Sequence, residues 1–172
     1  MTEKKPNFLF KVATIFYLDE EYDKSIVIYS EVLKNQKDFL TYLYRGNAYF
    51  MIGDLSRAIN DYSMGIELNP NHGDFYINRA RAYADAKQNE NAILDYQKYL
   101  LMKPSDQEAW QEFVKFLIAQ NRYDDAKKEA DRWVSSEKNQ PNAWNLRGAL
   151  NYNQKRYDNA LADFKMVTQI DP

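Results

Sequence analysis

Six marks in the stretch from Phe39 to His72, namely Tyr42, Gly46, Tyr49, Ala58, Tyr62 and Pro70, belong to a pattern that returns every 34 residues. Pro70 is followed by Pro104, Tyr76 by Trp110 and Trp144, and Ala58 by Ala92, Ala126 and Ala160. A chain built on one repeated unit of this size cannot bury the apolar face of any unit alone, so it stacks the units into a continuous core. The copies run over residues 6–38, 39–72, 73–106, 107–140 and 141–172, which makes the chain 1–172 a single repeat domain in this reading.

Each copy reads as two helices and a turn. In the first, Phe8, Leu9, Val12, Ala13, Ile15 and Phe16 recur at helical spacing, Asp19 to Tyr22 interrupts them, and Ile26, Tyr29, Val32 and Leu33 resume. The second copy turns at Gly53-Asp54 and exits through Asn69-Pro70-Asn71-His72-Gly73, where proline cannot continue the helix and Gly73 tolerates a positive φ, so a strong stop is expected. Lys87 stands where Gly53 stood, so the third copy's turn is expected to be strained or altered in shape. In the fourth copy large and small residues change places: Val114 takes the position of Gly46 and Ala80, while Ala130 and Trp133 take those of Tyr62 and Gly65. Conserved total volume predicts a repacked helix pair there, not a broken one.

This order of aromatic, Gly or Ala, Tyr, Ala, Tyr or Phe and then Pro resembles the tetratricopeptide repeat, in five consecutive copies. Copies two, three and five carry the pattern most fully; copy four keeps Trp110, Tyr123 and Ala126, and copy one keeps Tyr22, Ser25 and Tyr29. The resemblance implies an all-α, right-handed superhelical solenoid of antiparallel helix pairs, about ten helices in all, with a concave groove lined by the first helix of each pair. It places Phe10 and Tyr17 of copy one in that groove, with Leu40, Leu43, Tyr44, Asn47, Phe50 and Met51 of copy two. Asn78 and Arg81 follow from copy three, Glu108 and Glu112 from copy four, and Asn145 from copy five. The groove so drawn grades from apolar to polar.

Two readings of its apolar end stand open. Exposed aromatic and Met side chains would anchor a partner's peptide or helix; alternatively, Phe10, Leu40 and Leu43 complete packing between the first two copies, since a large bare apolar patch is unusual on a monomer. Some proteins of the family hold the C-terminal carboxylate of heat-shock chaperones in a clamp of Lys, Asn and Arg. Asn47 and Asn78 fall on its asparagine positions, but Leu43 replaces the first Lys, and Glu108 and Glu112 replace the last Lys and Arg. Carboxylates there would repel a carboxylate, so no chaperone clamp is expected.

Other chemistries find little support. The formal charge is −2 and the basic residues are scattered among acids, which disfavours nucleic acid as a partner. There is no cysteine and one histidine, His72, read as a solvated residue of an inter-repeat turn, so neither a metal site nor a general base is indicated. Asp124-Asp125 and Asp19-Glu20-Glu21 suit the starts of second helices better than a calcium loop. No phosphate-binding glycine loop and no cofactor box is present, and no run is long enough to insert in a membrane. No signal peptide is read at the start, which favours the cytoplasm for the chain as given, unless a targeting segment lies outside it. The expectation is a protein-protein interaction scaffold that binds a partner's segment in its groove, with no enzyme activity and no cofactor. The alternative is a self-assembly module, a homo-oligomer joined through the terminal repeats, or a fragment of a larger repeat protein.

Overall fold

The computed structural model describes residues 8–171. Among them lie ten helices: α1 (Phe8–Leu18), α2 (Tyr22–Asn35), α3 (Phe39–Met51), α4 (Leu55–Leu68), α5 (Gly73–Asp85), α6 (Asn89–Met102), α7 (Gln107–Ala119), α8 (Tyr123–Ser136), α9 (Pro141–Asn153) and α10 (Tyr157–Ile170). Two helices fall inside each copy of the sequence repeat. The chain divides into two compact units between Tyr99 and Leu100, a division that the 34-residue period does not announce.

The turn inside each pair has one design. The residue at its apex takes a positive φ in every copy: Glu20 (60°), Gly53 (78°), Lys87 (58°), Asn121 (59°) and Lys155 (60°). A left-handed residue just past a helix end lets the chain reverse while the last carbonyls keep partners. Lys87 therefore keeps the shape that Gly53 makes without strain, and the expected alteration of that turn is not seen. Gly73 is the first residue of α5 and is not among the positive-φ residues. Asp38, Asp54 and Asp106 cap α3, α4 and α7, each accepting a backbone N–H of the first turn.

In the first unit α3 packs on both α2 and α4, and α4 packs on α5. Its core joins Ile26, Leu43, Tyr49, Ala58, Tyr62 and Phe75. Gly65 is small for a definite reason: a Cβ there would lie 2.0 Å from Cε1 of Phe75, whose ring rests on the glycine. The exits between copies are tied by aromatics. Tyr76 donates its hydroxyl to the Pro70 carbonyl at 3.1 Å. In the second unit the Trp110 and Trp144 indoles donate to the carbonyls of Pro104 and Lys138, both at 2.8 Å. In copy four Val114, Ala130 and Trp133 are all fully buried, and Trp133 lies stacked on Trp110 at 6.0 Å, the repacking that the exchange of large and small residues requires.

Candidate functional site

The groove residues expected in the first three copies lie in the first unit. Tyr44 of α3 is the centre of an aromatic group, with ring centroids 5.6 Å from Phe10, 6.0 Å from Tyr17 and 6.2 Å from Tyr29. Tyr29 is buried and shares a 3.0 Å hydrogen bond with Thr14. Burial pushes its phenol up to about 12, so it stays neutral and serves as the floor of the group. Tyr17 is also raised, by burial first and then by the neighbouring Tyr22 and Tyr44. Phe10, Tyr17 and Tyr44 are half-buried: their rings pack together and keep part of each surface open.

Leu40 and Met51 are exposed at the two ends of α3, and Leu40, Tyr44, Asn47 and Met51 fall on one stripe by their spacing of four, three and four residues. Phe50 is half-buried against the core. Leu43 requires a correction. It is 6% exposed inside the core cluster with Tyr49 and Tyr62, so it fills the helix pair and offers no groove surface.

The polar part is a connected set. Asn47 Oδ1 accepts from the Tyr62 hydroxyl at 2.9 Å and from Asn78 Nδ2 at 3.0 Å. Arg81 in turn donates to Asn78 Oδ1 at 3.4 Å. Tyr62 is buried, and burial raises its pKa, so its hydroxyl remains a donor. Both asparagines are thereby oriented, and Asn47 Nδ2 has no acceptor among the described residues. In the second unit Glu108 is exposed and Glu112 half-buried, one turn apart on α7, and Asn145 is exposed on α9. Asn142 donates to Gln107 at 2.8 Å and ties the starts of α9 and α7 on that side.

His72 also differs from expectation. Its side chain is 28% exposed, with the ring 5.5 Å from both Phe39 and Phe75. It is a packing residue of the inter-repeat turn, because the exit leads the chain directly back over the core. Among the described residues no His, Asp or Glu cluster could hold a metal ion, and no helix is long and apolar enough to cross a membrane.

A second periodic feature escaped the sequence reading. Arg45 of α3 is bidentate to Asp61 of α4, with both bonds 2.7 Å, and reaches Ser30 of α2 at 3.0 Å. Arg79 does the same with Asp95, at 2.7 and 2.9 Å, and with Ser63 at 2.8 Å. Arg147 pairs with Asp163 and with Asp131 of the preceding second helix. Each arginine thus joins its own pair to the one before. Arg45, Arg79 and Arg147, and Asp61, Asp95 and Asp163, recur on the same 34-residue period as the apolar marks, and that period was the available signal. Copy four lacks the link: Phe113 holds the arginine position, and Glu129 pairs with Arg132 on its own helix.

Family profiles described as tetratricopeptide repeat match residues 84–150 in one case and 40–72 and 141–172 in another. The STIP1 homolog of Dictyostelium discoideum is 29% identical over 87 residues, 51% of this chain and 15% of that protein. Hsp70-Hsp90 organizing protein 2 of Arabidopsis thaliana is 30% identical over 94 residues, 54% of this chain and 16% of that protein. Small glutamine-rich tetratricopeptide repeat-containing protein 2 of Mycosarcoma maydis is 32% identical over 81 residues, 47% of this chain and 23% of that protein. The matched segment is therefore less than a quarter of each relative's length. A solved structure of MamA superposes with a TM-score of 0.74 at 18% identity, covering 98% of this chain and 96% of that one. MamA from residue 41 onward of Desulfovibrio magneticus RS-1 gives 0.70 at 15% identity, covering 96% of each. At such identities the likeness speaks for the fold alone.

Proposed function

The chain belongs to the tetratricopeptide repeat family, and from that premise we propose that it is a protein-protein interaction scaffold, binding a segment of another protein along the exposed stripe of its first helices. One observation carries the reading. In the first unit an open aromatic group, Phe10, Tyr17 and Tyr44, adjoins the α3 stripe that also carries Leu40, Asn47 and Met51, with Asn78 of α5 bonded to Asn47. The aromatics and Met51 supply apolar anchors, which carry most of the energy in such interfaces. Asn47 Nδ2 is placed to donate to a backbone carbonyl of an extended or helical segment, and Tyr62 and Asn78 hold it so that little ordering entropy is lost on binding. The role is non-enzymatic.

The organizing proteins among the relatives are named for Hsp70 and Hsp90, yet we propose that this chain has no chaperone carboxylate clamp. Leu43 lies in the core where the clamp would put its first lysine, and Glu108 and Glu112 carry negative charge at the two remaining cation positions. A fluorescent peptide bearing the free C-terminus of Hsp90 is expected to show no saturable anisotropy change with this chain; micromolar binding sinks that part of the proposal.

The groove itself is tested with Leu40→Glu/Met51→Glu. Both side chains are exposed, so the circular dichroism spectrum should stay as in the wild type. Recovery of identified partners from a native extract should fall at least about tenfold, about 1.4 kcal/mol of binding energy. Unchanged recovery means that the stripe is only surface.

A further inference from the structure

Around Tyr44 the side-chain acceptors are taken and the donors are open. Asn47 Oδ1 accepts from Tyr62 and Asn78, Asn78 Oδ1 accepts from Arg81, and Thr14 Oγ1 is engaged with the Tyr29 hydroxyl and the Phe10 carbonyl. Asn47 Nδ2 and the hydroxyls of Tyr17 and Tyr44, by contrast, have no hydrogen-bond partner among the described residues. Burial holds the Tyr17 phenol above its ordinary value, so it stays protonated and can donate at neutral pH. A backbone laid over these three groups is best matched if it brings carbonyls and few N–H groups of its own.

Three kinds of segment differ in this respect. A helix keeps its carbonyls for its own N–H groups except in its last turn, so the open donors would lose water without gaining acceptors. An ordinary extended segment brings an N–H for every carbonyl, and those N–H groups would meet side-chain oxygens that are already engaged. A proline-containing segment in the polyproline II form has unpaired carbonyls and no N–H at each proline. Its rings also suit the aromatic walls. Tyr44 stands at 86° to both Phe10 and Tyr17 and leans on Tyr29 at 30°. Half-open rings that meet at a right angle form a corner, and a pyrrolidine ring, rigid and apolar, packs there with no side-chain entropy to lose.

We infer, resting on the groove reading above, that the first unit selects a proline-containing polyproline II segment of its partner. Proline rings pack against Phe10, Tyr17 and Tyr44, while the two phenol hydroxyls and Asn47 Nδ2 donate to the carbonyls between them. Tyr29 is the buried floor on which Tyr44 rests, and Tyr62 and Asn78 fix the Asn47 amide with its nitrogen free. Because polyproline II is formed before binding, little ordering entropy is lost on the partner's side.

A displayed library of random decapeptides, selected on the full 172-residue chain, tests the choice of occupant. Most retained peptides should carry proline at more than one place, and a synthetic copy should give the circular dichroism of polyproline II. Exchanging its prolines for alanine should weaken binding, read by fluorescence anisotropy, at least about tenfold. Tyr17→Phe/Tyr44→Phe keeps both rings and removes two unpartnered hydroxyls; with wild-type helicity, it should weaken the proline peptide by about tenfold as well. Retained peptides that lack proline, whether helical or cationic, overturn the inference, as does a proline peptide whose affinity the double Phe variant leaves unchanged. The groove reading is judged separately by Leu40→Glu/Met51→Glu. Peptides without proline that this variant rejects leave the groove standing, whereas peptides of any kind that it binds unchanged, or a library that yields none, remove both.

Discussion

Replacing Arg45 by methionine separates the two forces that hold neighbouring helix pairs together. Methionine keeps most of the apolar stem and removes every donor. Asp61, whose side chain is 1% exposed, then loses both of its 2.7 Å hydrogen bonds, and no other group among the described residues donates to it. Ser30 loses its link to α3 as well. A buried ion stripped of its partner costs about 3 to 5 kcal/mol, whereas exchanging the whole pair for apolar residues is often close to neutral. Arg45→Met should therefore lie in that range, and Arg45→Met/Asp61→Leu should cost under about 2 kcal/mol. In copy four Phe113 takes the arginine's place, and the carboxylate at the aspartate position, Glu129, is paired by Arg132 of its own helix instead. Arg147→Met should cost less than Arg45→Met, because Asp163 keeps a 2.8 Å bond from Asn151. The pH dependence has a definite sign. Burial already raises the Asp61 carboxyl above its ordinary value of 3.8 against the pull of Arg45. A raised carboxyl favours the folded state below the unfolded value, and that support is lost as pH rises through the folded value. The deficit of Arg45→Met should thus shrink on acidification. Urea unfolding followed by circular dichroism, fitted with a nearest-neighbour repeat scheme, measures all four quantities. A loss under about 1 kcal/mol for Arg45→Met, or a double variant as unstable as the single, refutes the reasoning.

Lys87→Gly should stabilise the chain by about 0.5 to 1 kcal/mol, since Lys87 holds φ 58° where Gly53 holds 78°; thermal melting should rise by a few degrees, and Gly53→Ala should lower it. Gly65→Ala places a methyl 2.0 Å from the Phe75 ring and should cost at least about 1 to 3 kcal/mol in the same unfolding assay, with Phe75→Leu recovering part of the loss. Asp54 caps α4, and the side-chain and backbone hydrogen bonds of Arg57 hold its carboxyl below the ordinary value. Asp54→Ala should cost about 1 kcal/mol at neutral pH. Because a lowered carboxyl stabilises above the unfolded value and ceases to as pH falls through the folded one, melting curves of variant and wild type should converge in acid.

The helix pairs were legible because burial leaves periodic marks: Ala58, Ala92, Ala126 and Ala160 recur in copies two to five, with the small Ser25 in copy one, and all five are buried. Leu43 was misplaced because α3 carries apolar residues around most of its circumference. A position carried over from a family assumes one facing direction; here the neighbouring pair covers that side. The arginine links were visible as letters and overlooked because charged residues are read as solvent-facing by default. Lys87, Asn121 and Lys155 hide the left-handed turn that Gly53 advertises, since backbone conformation is set by the pairing of the helices and not by the residue's own preference. His72 looked solvated because its local sequence is that of a turn, while the rings of Phe39 and Phe75 that enclose it lie on two different helices.

The claim that the stripe of α3 receives a partner is tested most directly by site-specific photocrosslinking in the full chain. A benzophenone side chain is placed at Met51, 53% exposed on that stripe, and in a second variant at Glu67, exposed on α4. Partner adducts are expected from position 51, suppressed by the Leu40→Glu change, and none from position 67. Equal crosslinking from both positions, or adducts from position 67 alone, would contradict it.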